Sequence, residues 1–357
     1  MMVEQPSRPA AAHSDGAEPL RQYEALTQTA VYYVRTDRGL LRIIGRDRST
    51  WLHNLTTNQI KPLKTGEGNY AFALNLQGRI VFDANVFMEP DAILLDLDRG
   101  FVESAKRHLA KYAVVEDVAI EDESDRFGRI AVAGPQAACV FSLFGAVGPG
   151  SISLPGLVDL SYQGTRVRVL RTDFCGEFTL DVLIPCDTMA LAAELFAIQG
   201  RGMVVPVGEE IIRIRRIEAG IPWPVHEITE NVLPAETRQL SRAVSFNKGC
   251  YLGQEVVERM RSRGVVARQL VGFEIEGDEL PPRGADVEGP EGKPAGSLTS
   301  VCPSMGLGRT IGLGYVRTVY TTAGTSVRIN GNDRTWNAKV VELPFVADGA
   351  RSIAVSE

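Results

Sequence analysis

A short stretch around residue 250 combines residues that do chemistry with residues that shape the backbone. Gly249 and Gly253 flank a cysteine and a tyrosine, a lysine precedes them, and a Gln-Glu pair follows. Glycine permits tight turns and lets a ligand approach the backbone closely. A helical pattern begins at Gln254, so Cys250 is expected beside Lys248 and near a helix N-terminus, where a thiol becomes more reactive. The alternative is a buried structural cysteine in a glycine-flanked turn, the commoner role of a lone cysteine.

This stretch also resembles a known family signature. In one-letter code, residues 248–255 read KGCYLGQE and fit the pattern K-G-C-[FY]-x-G-Q-E of the YgfZ-type folate-binding proteins at every fixed position. Those proteins are relatives of the glycine-cleavage T-protein, an aminomethyltransferase, and are linked to iron–sulfur protein assembly or repair and to tRNA modification. The resemblance extends over residues 28–345. It implies tetrahydrofolate or another reduced folate as cofactor, and iron–sulfur assembly factors or client enzymes as partners.

The pterin ring of a folate offers two parallel N–H donors and a flat apolar face, so it needs one carboxylate in an apolar slot. Residues 175–182, CGEFTLDV, resemble the T-protein segment Y-T-G-E-D-G-V-E-I when aligned on their shared Gly-Glu pair. This alignment puts Asp181 at the carboxylate that grips the pterin and Phe174 at an aromatic position before it. Aspartate is one methylene shorter than the glutamate of the family. Without the resemblance, Asp181 is interpreted as an outward-facing strand residue.

The anionic glutamyl tail of a folate requires cations. Residues 216–222, RIEAGIP, resemble the family sequence R-L-E-A-G-L-P, which makes Arg216 the best-matched cation for that tail. Lys248 of the signature is a second candidate for binding the cofactor. The alternative is that Glu218 pairs with an arginine of this charged cluster in a structural ion pair.

One segment departs from the T-protein pattern. T-proteins read G-G-x-x-D-D where residues 78–83 of this chain read GRIVFD, and a carboxylate in this segment assists methylene transfer to tetrahydrofolate. Phe82 replaces the first aspartate, and only Asp83 remains as a catalytic candidate. Because the loss removes a possible acid or base, the sequence argues against ordinary aminomethyl transfer and favours different chemistry that uses Cys250.

Three roles are open to Cys250: a nucleophile, a transient iron–sulfur ligand, or a thiol that keeps folate or cluster chemistry reduced. A cluster takes about four ligands, so any cluster would be shared with a partner. The chain has five cysteines without a C-x-x-C pair and four histidines, which argues against a metal site of its own and predicts reduced thiols in the cytoplasm. His226 is expected at the surface, with a place near the folate channel as the alternative.

The overall composition excludes several classes of protein. A net charge of -6 gives no general attraction to nucleic acid or to an anionic membrane, and no segment is apolar enough to span a bilayer. RNA contact would have to use the local basic run RMRSR at residues 259–263, for which a solvated segment between domains is the default interpretation. The apolar and charged fractions are those of a soluble globular protein.

These candidate residues must be positioned by an α+β fold. Residues 1–27 are expected to form a disordered tail, residues 28–262 a folate-binding region, and residues 263–357 a small β-barrel. The middle region divides into similar subunits at 28–125 and 126–262, because residues 93–111 and 178–199 each give a strand, a loop and an amphipathic helix. Short, closely spaced strands and an Asn-Gly turn indicate the barrel. The resemblance implies two ferredoxin-like subdomains around a folate channel.

Three hypotheses follow for the function. The first is a tetrahydrofolate-binding accessory protein for iron–sulfur cluster assembly or repair, including that of tRNA-modifying enzymes. The second is a tetrahydrofolate-dependent aminomethyltransferase or methyltransferase, which Asp83 permits. The third is an interaction module that has kept the fold and lost folate, which the inexact matches at Phe174 and Asp181 leave open. The octapeptide signature favours the first.

Overall fold

The computed structural model describes residues 17–142, 152–162, 165–186, 204–264 and 266–346. Within these residues the helices are α1 (Ala17–Gln28), α2 (Arg48–Leu55), α3 (Val102–Ala110), α4 (Ala137–Ser142), α5 (Glu209–Glu218), α6 (Leu240–Ala243) and α7 (Gln254–Arg263). The strands are β1 (Val31–Val34), β2 (Arg38–Ile44), β3 (Gly68–Leu74), β4 (Ile80–Met88), β5 (Ala92–Asp98), β6 (Ala119–Asp122), β7 (Phe127–Ala133), β8 (Gly156–Tyr162), β9 (Thr165–Thr172), β10 (Thr179–Pro185), β11 (Val205–Pro206), β12 (Arg268–Ile275), β13 (Asp286–Glu288), β14 (Pro294–Ser304), β15 (Arg309–Arg317), β16 (Ser326–Gly331) and β17 (Arg334–Val341).

Two sheets form the larger part of the fold. One has five strands in the order β3-β4-β5-β2-β6, and the other has six in the order β11-β1-β7-β10-β9-β8. Strand β1 comes first in the sequence, yet it pairs with β7 and β11 in the six-stranded sheet, with Val31 opposite Ala133. The two units therefore interlock at this strand and do not follow the predicted division into residues 28–125 and 126–262. The helix predicted within residues 187–199 lies outside the described residues.

The side chains of strand β4 alternate between two different environments. Successive side chains of a strand point to opposite faces, so alternate residues share an environment. Phe82, Ala84 and Val86 enter an apolar core that also contains Trp51 of α2 and Leu109 of α3. The residues between them in the sequence point towards the six-stranded sheet.

The space between the two sheets is partly apolar. Its apolar cluster comes from both sheets and consists of Leu40, Phe87, Leu94, Leu157, Leu170 and Leu183. Ionised side chains from both sheets lie in the same layer, where Arg129 of β7 donates to Asp96 of β5 at 2.5 Å. The packing of the sheets thus depends on burying apolar area and on matching charges at the same time.

The third unit is a closed barrel with the strand order β12-β15-β14-β13-β16-β17. Alternate residues such as Phe273, Leu298 and Ile329 fill its interior. The predicted α+β fold with a small β-barrel at the C-terminal end is therefore confirmed. Within the described residues, no helix is both long enough and apolar enough to cross a bilayer.

The N-terminal part of the described chain differs from the prediction. Residues 1–27 were expected to be a disordered tail, but Ala17–Gln28 forms helix α1. Tyr23 and Leu26 lie three residues apart and bury one side of this helix in the core that also contains Ile214. The Tyr23 hydroxyl donates to the buried Glu218 carboxylate at 2.7 Å. The prediction was wrong here because a polar composition concealed a short apolar face.

The joint between α5 and the barrel is built on a buried ion pair. Arg216 is fully buried and donates to the Glu227 carboxylate at 2.7 Å and to the Ser300 hydroxyl of β14 at 2.6 Å. Glu227 also accepts hydrogen bonds from the hydroxyls of Ser300 and Thr299. The Arg216 guanidinium lies 4.9 Å from the centre of the Trp223 ring. Arg216 is therefore a structural residue in this arrangement.

Replacing Arg216 with alanine is expected to lower the free energy of unfolding by about 3–5 kcal/mol, because the Glu227 carboxylate stays buried without its cation. Urea unfolding of the whole chain measures this loss. Arg213→Ala is the matched control on the same helix, since Arg213 makes one hydrogen bond, to the Val301 carbonyl, worth about 1 kcal/mol. Equal losses in the two variants would contradict the structural role of Arg216.

Candidate functional site

A pocket opens where the edges of the two sheets meet the loop at residues 221–226. Its cavity volume is about 180 Å³. One part of the wall is aromatic or apolar, and the other part carries six carboxylates and three guanidinium groups. The lining residues are Tyr33, Arg35, Asp37, Arg38, Tyr70, Asp83, Asn85, Asp96, Asp98, Asp173, Phe174, Glu209, Ile221, Pro222, Trp223, Pro224, Val225, His226 and Arg242.

Asp83 is the carboxylate of this pocket with the most unusual setting. It is buried and accepts a hydrogen bond from the Tyr70 hydroxyl at 2.8 Å. Arg242 lies 4.1 Å from the centre of the Tyr70 ring, but its guanidinium donates to Asp173 at 2.7 Å. Among the described residues, no cation lies within salt-bridge distance of Asp83.

The surroundings of Asp83 alter its protonation. Burial raises the pKa of the Asp83 carboxyl, and the attraction of Arg38 and the hydrogen bond from Tyr70 offset this only in part. Burial also raises the pKa of Tyr70 well above its usual value, so this hydroxyl remains a donor. A buried carboxyl with a raised pKa on a pocket wall is suited to act as a general acid or base.

Position 82 lies on the opposite face of the same strand. Phe82 packs in the core against His108 of α3, with the two ring centres 6.3 Å apart. A carboxylate at position 82 would enter that core and would not line the pocket. The inference that Phe82 deprives the site of its acid was therefore wrong, because it counted carboxylates without the alternation of strand faces. Asp83 is the carboxylate that the strand presents to the pocket.

Phe174 forms part of the aromatic wall. The Arg35 guanidinium lies 3.8 Å from the centre of its ring, within the range of a cation–π contact. The Trp223 indole N–H donates to the Phe174 carbonyl at 3.0 Å and joins the two aromatic residues. The structure thus brings two of the predicted site residues, Phe174 and Asp83, to one pocket.

Asp181 was expected to grip a pterin, but it does not line the pocket. It is fully buried between the sheets and accepts hydrogen bonds from Arg129 at 2.9 Å and Thr172 at 2.9 Å. Arg35 lies 3.4 Å away. Burial would raise the pKa of Asp181, yet the two arginines hold it below its usual value. Asp181 is therefore neither a pterin ligand on the pocket wall nor an outward-facing strand residue, the two roles considered from the sequence.

Lys248, a second predicted cofactor ligand, also lies outside the pocket lining. Its ammonium group donates to the main-chain carbonyls of His53, Thr56 and Asn58 at 2.5–2.8 Å. Three N–H donors therefore meet three acceptors at the end of α2. Arg216, the predicted cation for a glutamyl tail, is enclosed in the joint with the barrel and is not available for that role.

Cys250 is exposed on the loop before α7 and does not line the pocket. Gly253 has a φ of 77°, and a Cβ there would lie 2.5 Å from the Asn75 carbonyl, so glycine is required. The Leu252 amide donates to the Asn54 carbonyl at 3.0 Å. The signature is therefore a closely packed loop that leaves its thiol accessible, and the alternative of a buried cysteine was wrong.

Several residues of the pocket escaped the sequence reasoning. Tyr70, Arg242 and Asp173 carry no motif of their own, and an aromatic residue in a strand is indistinguishable from a core residue. Trp223 follows the RIEAGIP run directly, so its place in that loop was the available signal. His226 was expected at the surface, but it lines the pocket, which agrees with the alternative placement.

Comparisons with known proteins agree with this architecture. Residues 21–248 match the GCVT N-terminal domain, and residues 268–347 match the glycine cleavage T-protein C-terminal barrel domain. The chain is 27% identical over 332 residues to an aminomethyltransferase of Chloroherpeton thalassium, with 92% of this chain and 90% of that protein covered. It is 28% identical over 326 residues to the mitochondrial aminomethyltransferase of Gallus gallus, with 85% and 79% covered. The crystal structure of glycine cleavage system aminomethyltransferase T from Bartonella henselae shares the fold, with a TM-score of 0.83, 21% identity, and 92% of this chain and 90% of that chain covered.

Replacing Asp83 with asparagine is expected to stabilise the protein at pH 7. The folded-state pKa of Asp83 lies above its unfolded value, so the ionised form costs stability, and asparagine removes that cost while keeping an acceptor for Tyr70. The advantage should shrink as the pH falls through the raised folded pKa, and it should vanish below the unfolded pKa of about 3.9, where the carboxyl is protonated in both states. Thermal unfolding between about pH 3 and pH 8 measures the difference.

Asp96→Asn is the matched control in the neighbouring strand. Asp96 pairs with Arg38 and Arg129, which hold its pKa far below the usual range, so its loss should destabilise the protein at pH 7 by about 3–5 kcal/mol. A pH-independent loss of stability in Asp83→Asn would contradict the proposed state of Asp83.

Proposed function

The chain belongs to the glycine cleavage T-protein family, and from this we propose that it binds tetrahydrofolate in the pocket and transfers a one-carbon unit, as an aminomethyltransferase does. The observation that carries the proposal is the buried Asp83 carboxyl, hydrogen-bonded to Tyr70 and without a cation of its own. Relatives that carry the name aminomethyltransferase align over most of their own length as well as this chain's.

The residues of the pocket fit a reduced folate. A pterin needs a flat apolar contact and polar groups at its edges, and the wall provides Phe174, Trp223 and Ile221 together with several carboxylates. The indole of Trp223 is tied to the Phe174 main chain, so these two residues form a fixed wall. In this proposal Phe174 contacts the ring as expected from the sequence, whereas Asp83 faces the nitrogen that accepts the one-carbon unit and does not replace Asp181 at the N–H edge of the pterin.

Asp83 would act as the general base that accepts a proton during the reaction. Bound tetrahydrofolate would supply the nitrogen that accepts the one-carbon unit. A nitrogen that forms a bond to carbon must lose a proton, and a carboxylate within the pocket is a suitable acceptor. The raised pKa of Asp83 makes it a stronger base than an ordinary carboxylate, and the Tyr70 hydroxyl fixes its orientation. Arg242 in turn holds the Tyr70 ring from its face.

The glutamyl tail of a folate would extend away from this wall. Each guanidinium on the described wall already faces a carboxylate: Arg35 pairs with Asp37, Arg38 with Asp96, and Arg242 with Asp173. An anionic tail would have to compete for these cations. We therefore assign the pocket to the pterin part of the cofactor. Arg216 does not bind the tail in this proposal, because it is buried in the joint with the barrel.

Calorimetric titration of the protein with tetrahydrofolate tests the proposal. Asp83→Ala should weaken binding at least about tenfold, because a hydrogen bond to a charged group is worth about 1.5–3 kcal/mol. It should also abolish formation of methylenetetrahydrofolate from a glycine-derived aminomethyl donor. Asp98→Ala is the control, since Asp98 lines the same pocket while its carboxylate accepts a hydrogen bond from the Gly100 amide. Absence of binding to the wild type would leave the interaction module as the remaining hypothesis.

A second function is favoured by Cys250. Its thiol is exposed, and the loop that carries it is attached to α2 through Lys248, outside the pocket. An accessory role in iron–sulfur assembly or repair, including that of tRNA-modifying enzymes, would use this thiol with a partner. The partner would have to supply further ligands, because the described residues contain no group of three or more His, Cys, Asp or Glu side chains that could hold a metal.

Cys250→Ala separates the two functions. It should leave the affinity for tetrahydrofolate and the methylene transfer unchanged, because Cys250 does not line the pocket. Activity of iron–sulfur enzymes in cells that carry the variant should fall if the accessory role holds. Cys186→Ala, which alters another exposed thiol without a signature, should affect neither measurement. Loss of folate binding in Cys250→Ala would contradict the assignment of the thiol to a separate site.

A further inference from the structure

His226 lies on the pocket wall with two ring nitrogens that bind nothing in the described part of the chain. Its Nδ1 is buried and has no hydrogen-bond partner among those residues, and no ion pair involves the ring. A buried polar atom without a partner costs about 1–3 kcal/mol, so such atoms need an explanation. A half-turn of the ring about its bond to Cβ would present this nitrogen to a ligand in the pocket, which would provide the missing partner.

Contacts on both sides of His226 hold its main chain in one conformation. Glu227, the next residue, is fully buried and accepts hydrogen bonds from the Trp223 amide at 2.9 Å and from Arg216. Val225, the preceding residue, has a φ of 66°, which is a strained conformation for a β-branched side chain. Arg283 of the barrel unit donates to the Val225 carbonyl. Strain of this kind persists where surrounding contacts enforce it, and it concentrates at ligand sites.

Burial, together with the charges around the ring, keeps it neutral at physiological pH. Burial lowers the pKa of His226 to about 4, and Arg216, Arg283 and Arg213 act in the same direction against Glu227. A neutral imidazole offers one N–H donor and one acceptor nitrogen. The two ring nitrogens point in different directions, so one of them can face a ligand edge as donor or acceptor, and the edge of a pterin carries groups of both kinds.

We propose that His226 is a ligand-binding residue, whose imidazole hydrogen-bonds to the polar edge of the heteroaromatic ring that lies against Phe174 and Trp223. This rests on the proposed function, since the ring would be that of a reduced folate. The role extends the site to a residue that the barrel helps to position through Arg283.

The other described histidines do not share this setting. The His53 Nδ1 accepts a hydrogen bond from the Ile60 amide at 3.2 Å. His108 packs between Phe82 and Tyr112, with ring centres 6.3 and 5.5 Å away, and its Nε2 is also buried without a partner. Neither residue lines the pocket, so His108 provides a matched control: a buried histidine with a lowered pKa and an unpaired nitrogen, away from the ligand.

The test is calorimetric titration of the full chain with tetrahydrofolate. His226→Leu should raise the dissociation constant about tenfold, which corresponds to the loss of one hydrogen bond. His226→Asn should recover most of the affinity, because its amide again offers a donor and an acceptor. His108→Leu should leave the dissociation constant unchanged. Equal affinity of wild type and a folded His226→Leu variant would overturn the role of His226 and leave the proposed function intact.

A spectroscopic measurement on the wild type makes the test independent of how the variants fold. In protein labelled with ¹⁵N at histidine, tetrahydrofolate should shift the imidazole resonances of His226 and leave those of His53 and His108 in place. Binding without a shift at His226 would also overturn the inference. Failure of the wild type to bind tetrahydrofolate would overturn both the inference and the proposed function.

Discussion

The structure depends on the pairing of charges between the two sheets. Arg129 of the six-stranded sheet reaches Asp96 of the five-stranded sheet and Asp181 of its own sheet, and Asp181 also faces Arg35. All four side chains are nearly excluded from solvent. Buried ion pairs repay their desolvation only when the geometry is good, so their main contribution is to fix one arrangement of the sheets. A shift of one sheet by a single residue would leave at least one of these charges buried alone.

The chemical character of the pocket follows from this network, which gives most of the buried carboxylates an arginine partner but gives none to Asp83. Asp96 and Asp83 lie in adjacent strands of the same sheet, yet Asp96 accepts hydrogen bonds from two arginines, whereas among the described residues Asp83 accepts one from Tyr70 and pairs with no arginine. Their pKa values consequently move in opposite directions. One carboxylate is thereby committed to structure, and the other keeps the capacity to exchange a proton. Arg35 links the two regions, since it faces Asp181 on one side and the Phe174 ring on the other.

The sequence could predict the fold more fully than the site. Short alternating strands, an Asn-Gly turn and two strand-helix units sufficed for an α+β region followed by a barrel. The resemblance also selected Phe174 and Asp83, both of which line the pocket. It assigned Asp181 and Arg216 to the cofactor, although each is buried against an opposite charge. A sequence shows which residues carry charge, but the partner of a buried charge comes from a distant element and is decided by packing.

The signature loop and the pocket are separate sites that share one scaffold. Lys248 holds the carbonyls of Thr56 and Asn58, and the Asn58 side chain donates to the main-chain carbonyls of Tyr70 and Arg242. Tyr70 and Arg242 are the residues that position and surround Asp83. The lysine of the signature is thus two contacts away from the pocket, whereas the cysteine two residues later faces solvent. A single turn of chain therefore supports the proposed folate pocket and carries an accessible thiol. Family membership in the T-proteins and a distinct use of Cys250 are therefore compatible in one molecule.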